Sequence, residues 1–513
     1  MAMLAARTPS TNRSSGRFAA PPWDADSLAW QLLDHDLPAD HLARVIDHAV
    51  GHLDLTDLYA AYAGTGSRAH PPDLLLKAVL YELHSGRRRP AQWCRDAADS
   101  GPLRWLLRGC RPSRTAWYAF RDRVHDLDPL WNGQLLQQAL TAGLTPARRI
   151  ALDGTLVAAQ ASRHRLVNEE TLHRRQAELQ QARAADRQGQ PPAVVPGWMA
   201  PTPRGRRVQE SRYRQAAQRM GQLQGRNARK RASKRKARGR IVLNPSEPEA
   251  ALGRDKHQVY RPLYNLQLAS DLDSPLVLGY QVLAQPNDAG ALGPLLERVR
   301  AAVGPRVHVA LADASYAGGA DLAAAAAAGV TVYAPWQAND YRATSGGSKG
   351  QIPKEQFQWL AAEQTYQCPQ GHRLAWAGRS AQRRSGTEAV VLTQYRCPPE
   401  HCRLCPRRRE CTPNPEAGRT ISRGEHEELI EALRQRMAGD EAKALYRLRR
   451  QTVELRYADA KQHRELRRFS GRGLRRVQTE AGLTVLAHNL VTRDRLRRAA
   501  TDPPAANPIS VPA

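Results

Sequence analysis

A chain of 513 residues exceeds one ordinary core and leaves room for roughly two to four domains. Its 77 Lys and Arg outnumber 49 Asp and Glu, giving a formal charge of +28, the balance expected of a protein that covers polyphosphate, so DNA or RNA is the first partner to consider. No apolar run reaches the roughly 18 to 20 residues of a spanning helix and no secretory signal opens the chain, so no membrane partner and a cytoplasmic, nucleoid-associated location are expected.

In chain order, residues 1–24 are rich in Pro, Ser and Ala without apolar periodicity and read as a disordered tail, as do residues 501–513. Over residues 25–145 apolar side chains recur at helical spacing, as in LARVIDHAV and LLLKAVLYELHSG, where Gly86 marks a helix stop. This is an expected all-helical, DNA-binding domain. Within it RPAQWCRDAADSGPLRWLLRGC precedes Ser113, a candidate N-cap for RTAWYAFRDRV; the pattern fits a helix-turn-helix and an ordinary helical hairpin equally well.

From residue 146 the period changes. RRIALDGTLVAAQ, LYNLQLASD, LVLGYQVLA, VHVALAD and VTVYAP read as buried strands, and ALGPLLERVRAAV and GGADLAAAAAAG as helices between them, which predicts an α/β mixed sheet flanked by helices. Two insertions interrupt it. The first, residues 163–248, is polar and helix-prone with a Pro-rich break; from Arg204 to Arg240 it holds fifteen Lys or Arg and one acid, Glu210, which favours a phosphate-binding arm over a merely solvated run. The second, residues 337–439, contains Cys368, Cys397, Cys402, Cys405 and Cys411, five of the seven cysteines of the chain. Cys402-x2-Cys405 has metal-knuckle spacing, so these five, with His372 also available, are candidate ligands of a structural Zn²⁺; reduced, partly buried thiols are the alternative. Cys94 and Cys110 lie in apolar helical context and read as core.

Asp153 and Asp313 each follow an apolar run, where a strand can present a carboxylate at an open edge, and Gly154 lets another chain segment come close. In ALYRLRRQTVELRYADAKQHRELRRF, an α-helical period places Arg450, Glu454 and Lys461 within about 40° of one another, with Tyr446 on the same face. A surface helix with ion pairs would look the same.

With these residues in place, the chain resembles the DDE transposases of bacterial insertion sequences, in the branch marked by a Tyr-x2-Arg-x3-Glu-x6-Lys signature. Arg450, Glu454 and Lys461 match the last three positions and Tyr446 and Arg449 match the first two, but the two halves are one residue out of register, leaving Arg449 and Arg450 as alternatives; helical phase favours Arg450. HPPDLLLKAVLYELHSGRRRPAQWCRDAADSGPLRWLLRGCRPSRTAWYAFRDRV is similar to the helical N-terminal domain of these proteins, ALDGTLVAAQAS to the first-acid strand, LADASYAGGADL to the second-acid motif, and LRRFSGRGLRRVQTEAGLTVLAHNL to the segment after the Glu. The resemblance implies an RNase H-like catalytic domain over residues 146–500. It further implies that Asp153, Asp313 and Glu454 bind two Mg²⁺ or Mn²⁺ ions while Arg450 and Lys461 grip phosphates beside the cut. The implied activity is cleavage of double-stranded DNA at terminal inverted repeats and transfer into target DNA, by a homodimer on DNA. A transposase-derived DNA-binding protein without catalysis and an RNase H-like nuclease that does not join strands are the competing expectations.

Overall fold

The computed structural model describes residues 17–62, 67–230, 232–335, 352–383 and 389–501. Residues 1–16 and 502–513, which hold most of the two expected disordered tails, lie outside them.

The first described third is helical: α1 (Leu28–Asp36), α2 (Leu42–Gly51), α3 (Thr56–Ala60), α4 (Pro72–His84), α5 (Pro90–Asp99), α6 (Gly101–Leu106), α7 (Arg114–Arg123) and α8 (Asp128–Thr141). Ser113 caps α7 as its type and position predict, its Oγ accepting from the Ala116 amide at 3.2 Å. Ile46, Leu76, Leu80, Trp117, Phe120 and Trp131 form the core, each stabilising the fold by about 1.5–3 kcal/mol through burial. Cys110 belongs to that core and Cys94 packs against it, as expected. Phe18 packs edge-on against Tyr59, ring centroids 5.3 Å apart.

The mixed sheet follows. Its strands are β1 (Arg149–Ala158), β2 (Ala251–Arg254), β3 (Tyr260–Asp271), β4 (Val277–Leu283), β5 (Val309–Leu311) and β6 (Thr331–Tyr333). Their order is β2-β3-β1-β5-β6, with β4 also pairing β3. β3 runs antiparallel to β1, β2 and β4, whereas β1, β5 and β6 are mutually parallel. The parallel part needs helical crossovers, supplied by α11 (Leu292–Val303) and α12 (Gly319–Ala327), which bury Leu292, Leu295, Val299 and Leu322 against it. The fold class is the predicted one: a mixed sheet flanked by helices, with a helical N-terminal region.

The basic insertion is a helical hairpin, α9 (Glu169–Arg187) and α10 (Pro203–Ala228), with its own core of Leu172, Leu179, Tyr213, Ala216 and Met220. Within the cysteine-containing insertion, β7 (Gln358–Leu360) pairs with β8 (Thr365–Gln367), and β9 (Ala375–Arg383), β10 (Ala389–Arg396) and β11 (Thr420–Gly424) form a three-stranded sheet. The C-terminal helix, Leu474–Thr501, joins two cores: Leu483, Leu486 and Leu490 enter the helical region, while Val477, Ala481 and Val485 face the sheet.

Candidate active site

β1 stays paired with β3 from Ile150 to Ala158, Asp153 standing opposite Leu268. On its other side it meets β5 only over Arg149–Ala151. Asp153 therefore does not end its strand, as its position after an apolar run suggests. The neighbour ends instead, because β5 is three residues long, and one edge of β1 is open from Leu152 until Ala158 bridges Arg468.

An open edge carries unpaired backbone carbonyls that need donors. A helix supplies them. Arg449, at the end of the helix Asp440–Arg449, donates from Nε to the Leu152 carbonyl at 3.2 Å, and its Nη2 lies 2.8 Å from Asp153 Oδ1. The Tyr457 hydroxyl reaches the carbonyl of Asp153 at 2.5 Å and that of Leu266, on the interior strand β3, at 3.1 Å, so it lies over the sheet and not at the edge alone. Lys461 donates from Nζ to Thr155 Oγ1 at 2.5 Å and to the Leu156 carbonyl at 3.3 Å. Tyr457 is a residue the sequence reading missed; an aromatic one helical turn before Lys461 reads only as core.

Arg449, not Arg450, holds Asp153, and Arg450 is exposed. The α-helical phase that favoured Arg450 does not apply, because Arg450–Glu454 is a π turn. A π turn bonds i to i+5, so it absorbs one additional residue within an α-helix. Arg449 and Glu454 are five apart, and the one-residue offset between the two halves of the signature falls at this turn. Val453, Tyr457 and Arg449 are the buried face. Glu454 is exposed and makes no hydrogen bond or ion pair among the described residues.

Asp313 lies two residues past β5, where its Oδ1 accepts from the Ser315 amide at 2.8 Å and from Ser315 Oγ at 2.5 Å, capping a short 3-10 turn, Ala314–Tyr316. Burial pushes the Asp153 carboxyl up to about 6; Arg449 opposes the shift, and the negative charges of Asp313 and Asp288 add to it. Tyr446, half-buried, is raised by burial, with Arg449, Asp313 and Asp153 all close enough to act on its hydroxyl. Lys461 is lowered by burial, with Lys256 lowering it further and Asp153 opposing. Thus Asp153, Asp313, Tyr446, Arg449 and Lys461 share one electrostatic neighbourhood, joined by Asp288, which the sequence reading did not single out. Gly154 is the one signal that pointed to it: a Cβ there would collide with Asp288 Oδ1 and Gln267 Nε2.

In the cysteine-containing insertion, Cys368, Cys397, Cys402, Cys405 and Cys411 line one small pocket together with His372 and His401, whose rings stack at 4.1 Å. Burial raises the Cys397 and Cys411 thiols, and neighbouring thiols of the cluster raise them further, the latter to about 11. Among the described residues, no three His, Cys, Asp or Glu side chains are grouped tightly enough to hold a metal ion, either here or beside Asp153.

Fold and site together define a mixed α/β protein that gathers carboxylates and basic side chains at an open sheet edge, beneath a separate helical region. Two family models match it: a transposase domain over residues 31–123, and a transposase DDE domain over residues 367–492. These two matches support a DDE transposase of an insertion-sequence type. No curated protein and no solved structure matches it. The DDE match contains Arg449, Glu454 and Lys461 but stops short of Asp153 and Asp313. No helix among the described residues is long and apolar enough to cross a membrane.

Proposed function

We propose that this transposase cleaves double-stranded DNA at the ends of its insertion sequence and joins the freed 3′ strand to target DNA, with Asp153, Asp313 and Glu454 as its catalytic acids and a homodimer as the working form. The observation that carries the reading is the meeting of Asp153 and Asp313, far apart in sequence, in one electrostatic neighbourhood with Arg449 of the DDE-matched helix. The donor set is carboxylate oxygen, which suits hard divalent cations. Mg²⁺ or Mn²⁺ bound by Asp153, Asp313 and Glu454 would supply Lewis-acid stabilisation of the attacking and leaving oxygens of a phosphoryl transfer. Arg449 fixes the Asp153 carboxylate against β1, while Lys461 and the exposed Arg450 offer positive charge to phosphates on either side of the cut. The topology, with β2, β1 and β4 antiparallel to β3 and with β5 and β6 following parallel to β1, supports the RNase H-like expectation.

Incubating the protein and Mg²⁺ with a labelled element end and a supercoiled plasmid should yield label joined to the plasmid. Cleaved but unjoined label would leave a hydrolytic nuclease, and bound but intact label a binding protein; either result overturns the proposal.

In the same reading the cysteine cluster would hold a structural Zn²⁺ through four of Cys368, Cys397, Cys402, Cys405 and Cys411, which would have to draw together from their present spacing, apart from the catalytic acids because thiolates suit zinc and phosphoryl transfer uses oxygen ligands. Metal analysis of purified protein should find about one zinc per chain. Zinc-free protein in which Cys402→Ser leaves thermal stability unchanged would remove this assignment.

A further inference from the structure

Asp288 lies in the loop between β4 and α11, and neither its type nor its place in QPND marks it as functional. Its surroundings do. Oδ1 accepts from Asn265 Nδ2 at 2.8 Å and Gln267 Nε2 at 2.6 Å, two amides of β3 that are almost fully buried. Oδ2 lies 2.9 Å from Ser315 Oγ, which also contacts Asp313 Oδ1. Gln267 uses its other end as well, its Oε1 accepting from the Tyr316 hydroxyl. Asp288, Ser315, Tyr316 and Gln267 thus close a ring that ties the turn carrying Asp313 to the middle of the sheet. The ring lies against Gly154, next to Asp153. The far end of the loop is fixed too, since Asp321 accepts from the Gly290 amide at 3.1 Å and the Leu292 amide at 3.2 Å.

We propose that Asp288 is a positioning residue: through Ser315 it sets where the Asp313 carboxylate stands relative to Asp153, without itself binding a cation. The proposal rests on Asp313 being a catalytic acid. Both oxygens of Asp288 already have protein donors or a hydroxyl against them, which separates it from a free ligand. Ser315 has one hydroxyl hydrogen. It can bond to Asp313 while accepting from a neighbour, so an amide at position 288 would keep the ring: its oxygen would serve Asn265 and Gln267, and its NH2 would donate to Ser315.

The test is single-turnover cleavage of a labelled element end across a Mg²⁺ titration, run for Asp288→Asn, Ser315→Ala and Asp313→Asn beside a DNA-binding titration and thermal melting. Asp288→Asn should cleave within a few-fold of the parent. Ser315→Ala, which removes the link without emptying the buried amide pocket, should melt near normally and bind DNA normally. It should nevertheless cleave roughly 10- to 100-fold more slowly and need more Mg²⁺. Asp313→Asn should not cleave. If Asp288→Asn is as inactive as Asp313→Asn, Asp288 acts by its charge and the positioning role is wrong. A parental rate and Mg²⁺ midpoint for Ser315→Ala would equally overturn it. Normal cleavage by Asp313→Asn would remove Asp313 as a catalytic acid, and the proposal with it.

Discussion

Arg449 and Arg450 are adjacent, chemically identical and differently placed. Arg449 is buried against β1 with its guanidinium on Asp153 and the Leu152 carbonyl; Arg450 faces solvent. Removing one partner of a largely buried pair leaves the other charge without compensation, so Arg449→Ala should cost about 2–4 kcal/mol in urea unfolding and sharply reduce cleavage. Arg450→Ala should change stability by no more than about 0.5 kcal/mol. Equal stability losses would mean that the Asp153 pairing does not decide the difference. Nothing in composition could separate the two residues, because the reading of a helix face assumes a constant 3.6-residue period, and the π turn that breaks it has no propensity signature.

At the scale of elements, the sequence was most legible where burial dictates the pattern. β1, β3, β4, β5 and β6 appear as apolar runs, and α11 and α12 as helical stretches, because these strands are buried along most of their length within the mixed sheet. β2, with one buried residue in four, has no such run. Of the candidate site, Asp153 and Asp313 were singled out by the apolar runs they follow, although β1 continues past Asp153, and Lys461 by a helical spacing that the π turn alters, whereas Asp288 was not singled out, since a polar loop residue shows little until its partners meet. The basic insertion was expected as an arm; it is a folded hairpin, and part of its charge is structural. Arg206 is buried with a forked contact to Asp186, and Arg183 pairs with Glu210. Arg229, Lys230, Lys234 and Arg235 remain exposed. Replacing these four with Gln should weaken binding to all DNA sequences alike and reduce the slope of log K against log salt by about 0.9 for each phosphate no longer neutralised. An unchanged slope would show that this end of the hairpin is only solvated surface.

At the scale of the whole molecule, the C-terminal helix fastens the helical region to the sheet. Arg88 pairs with Glu480 at 2.8 Å, both buried. Asp128 of α8 takes the Tyr280 hydroxyl of β4, while Asn132 donates to the Gly482 carbonyl at 3.1 Å. Burial pushes the Asp128 carboxyl up to about 7, the Tyr280 bond opposing, Asp126 adding to the rise and Arg298 opposing it. The folded state therefore holds a proton that the unfolded chain releases near pH 4. The associated stability is full below that pH and is lost as pH rises through about 7, by on the order of a few kcal/mol. Glu82, at about 8, and Asp321, at about 6, slope the same way, so the measurement is a difference: Asp128→Asn should flatten the decline in melting temperature between pH 4 and 7 relative to the parent. Superimposable profiles would contradict it. This scaffold matters because it carries the signature helix to the open edge of β1, where the proposed mechanism makes Glu454 a catalytic acid rather than a surface charge. Glu454→Gln preserves size and hydrogen bonding but removes the charge, and an exposed carboxylate of no catalytic consequence could be exchanged with little effect. The direct measurement is single-turnover nicking of a labelled terminal repeat with Mg²⁺, beside a binding titration. Abolished nicking with unchanged binding is the predicted result, and near-normal nicking by Glu454→Gln would contradict the acid assignment and the mechanism built on it.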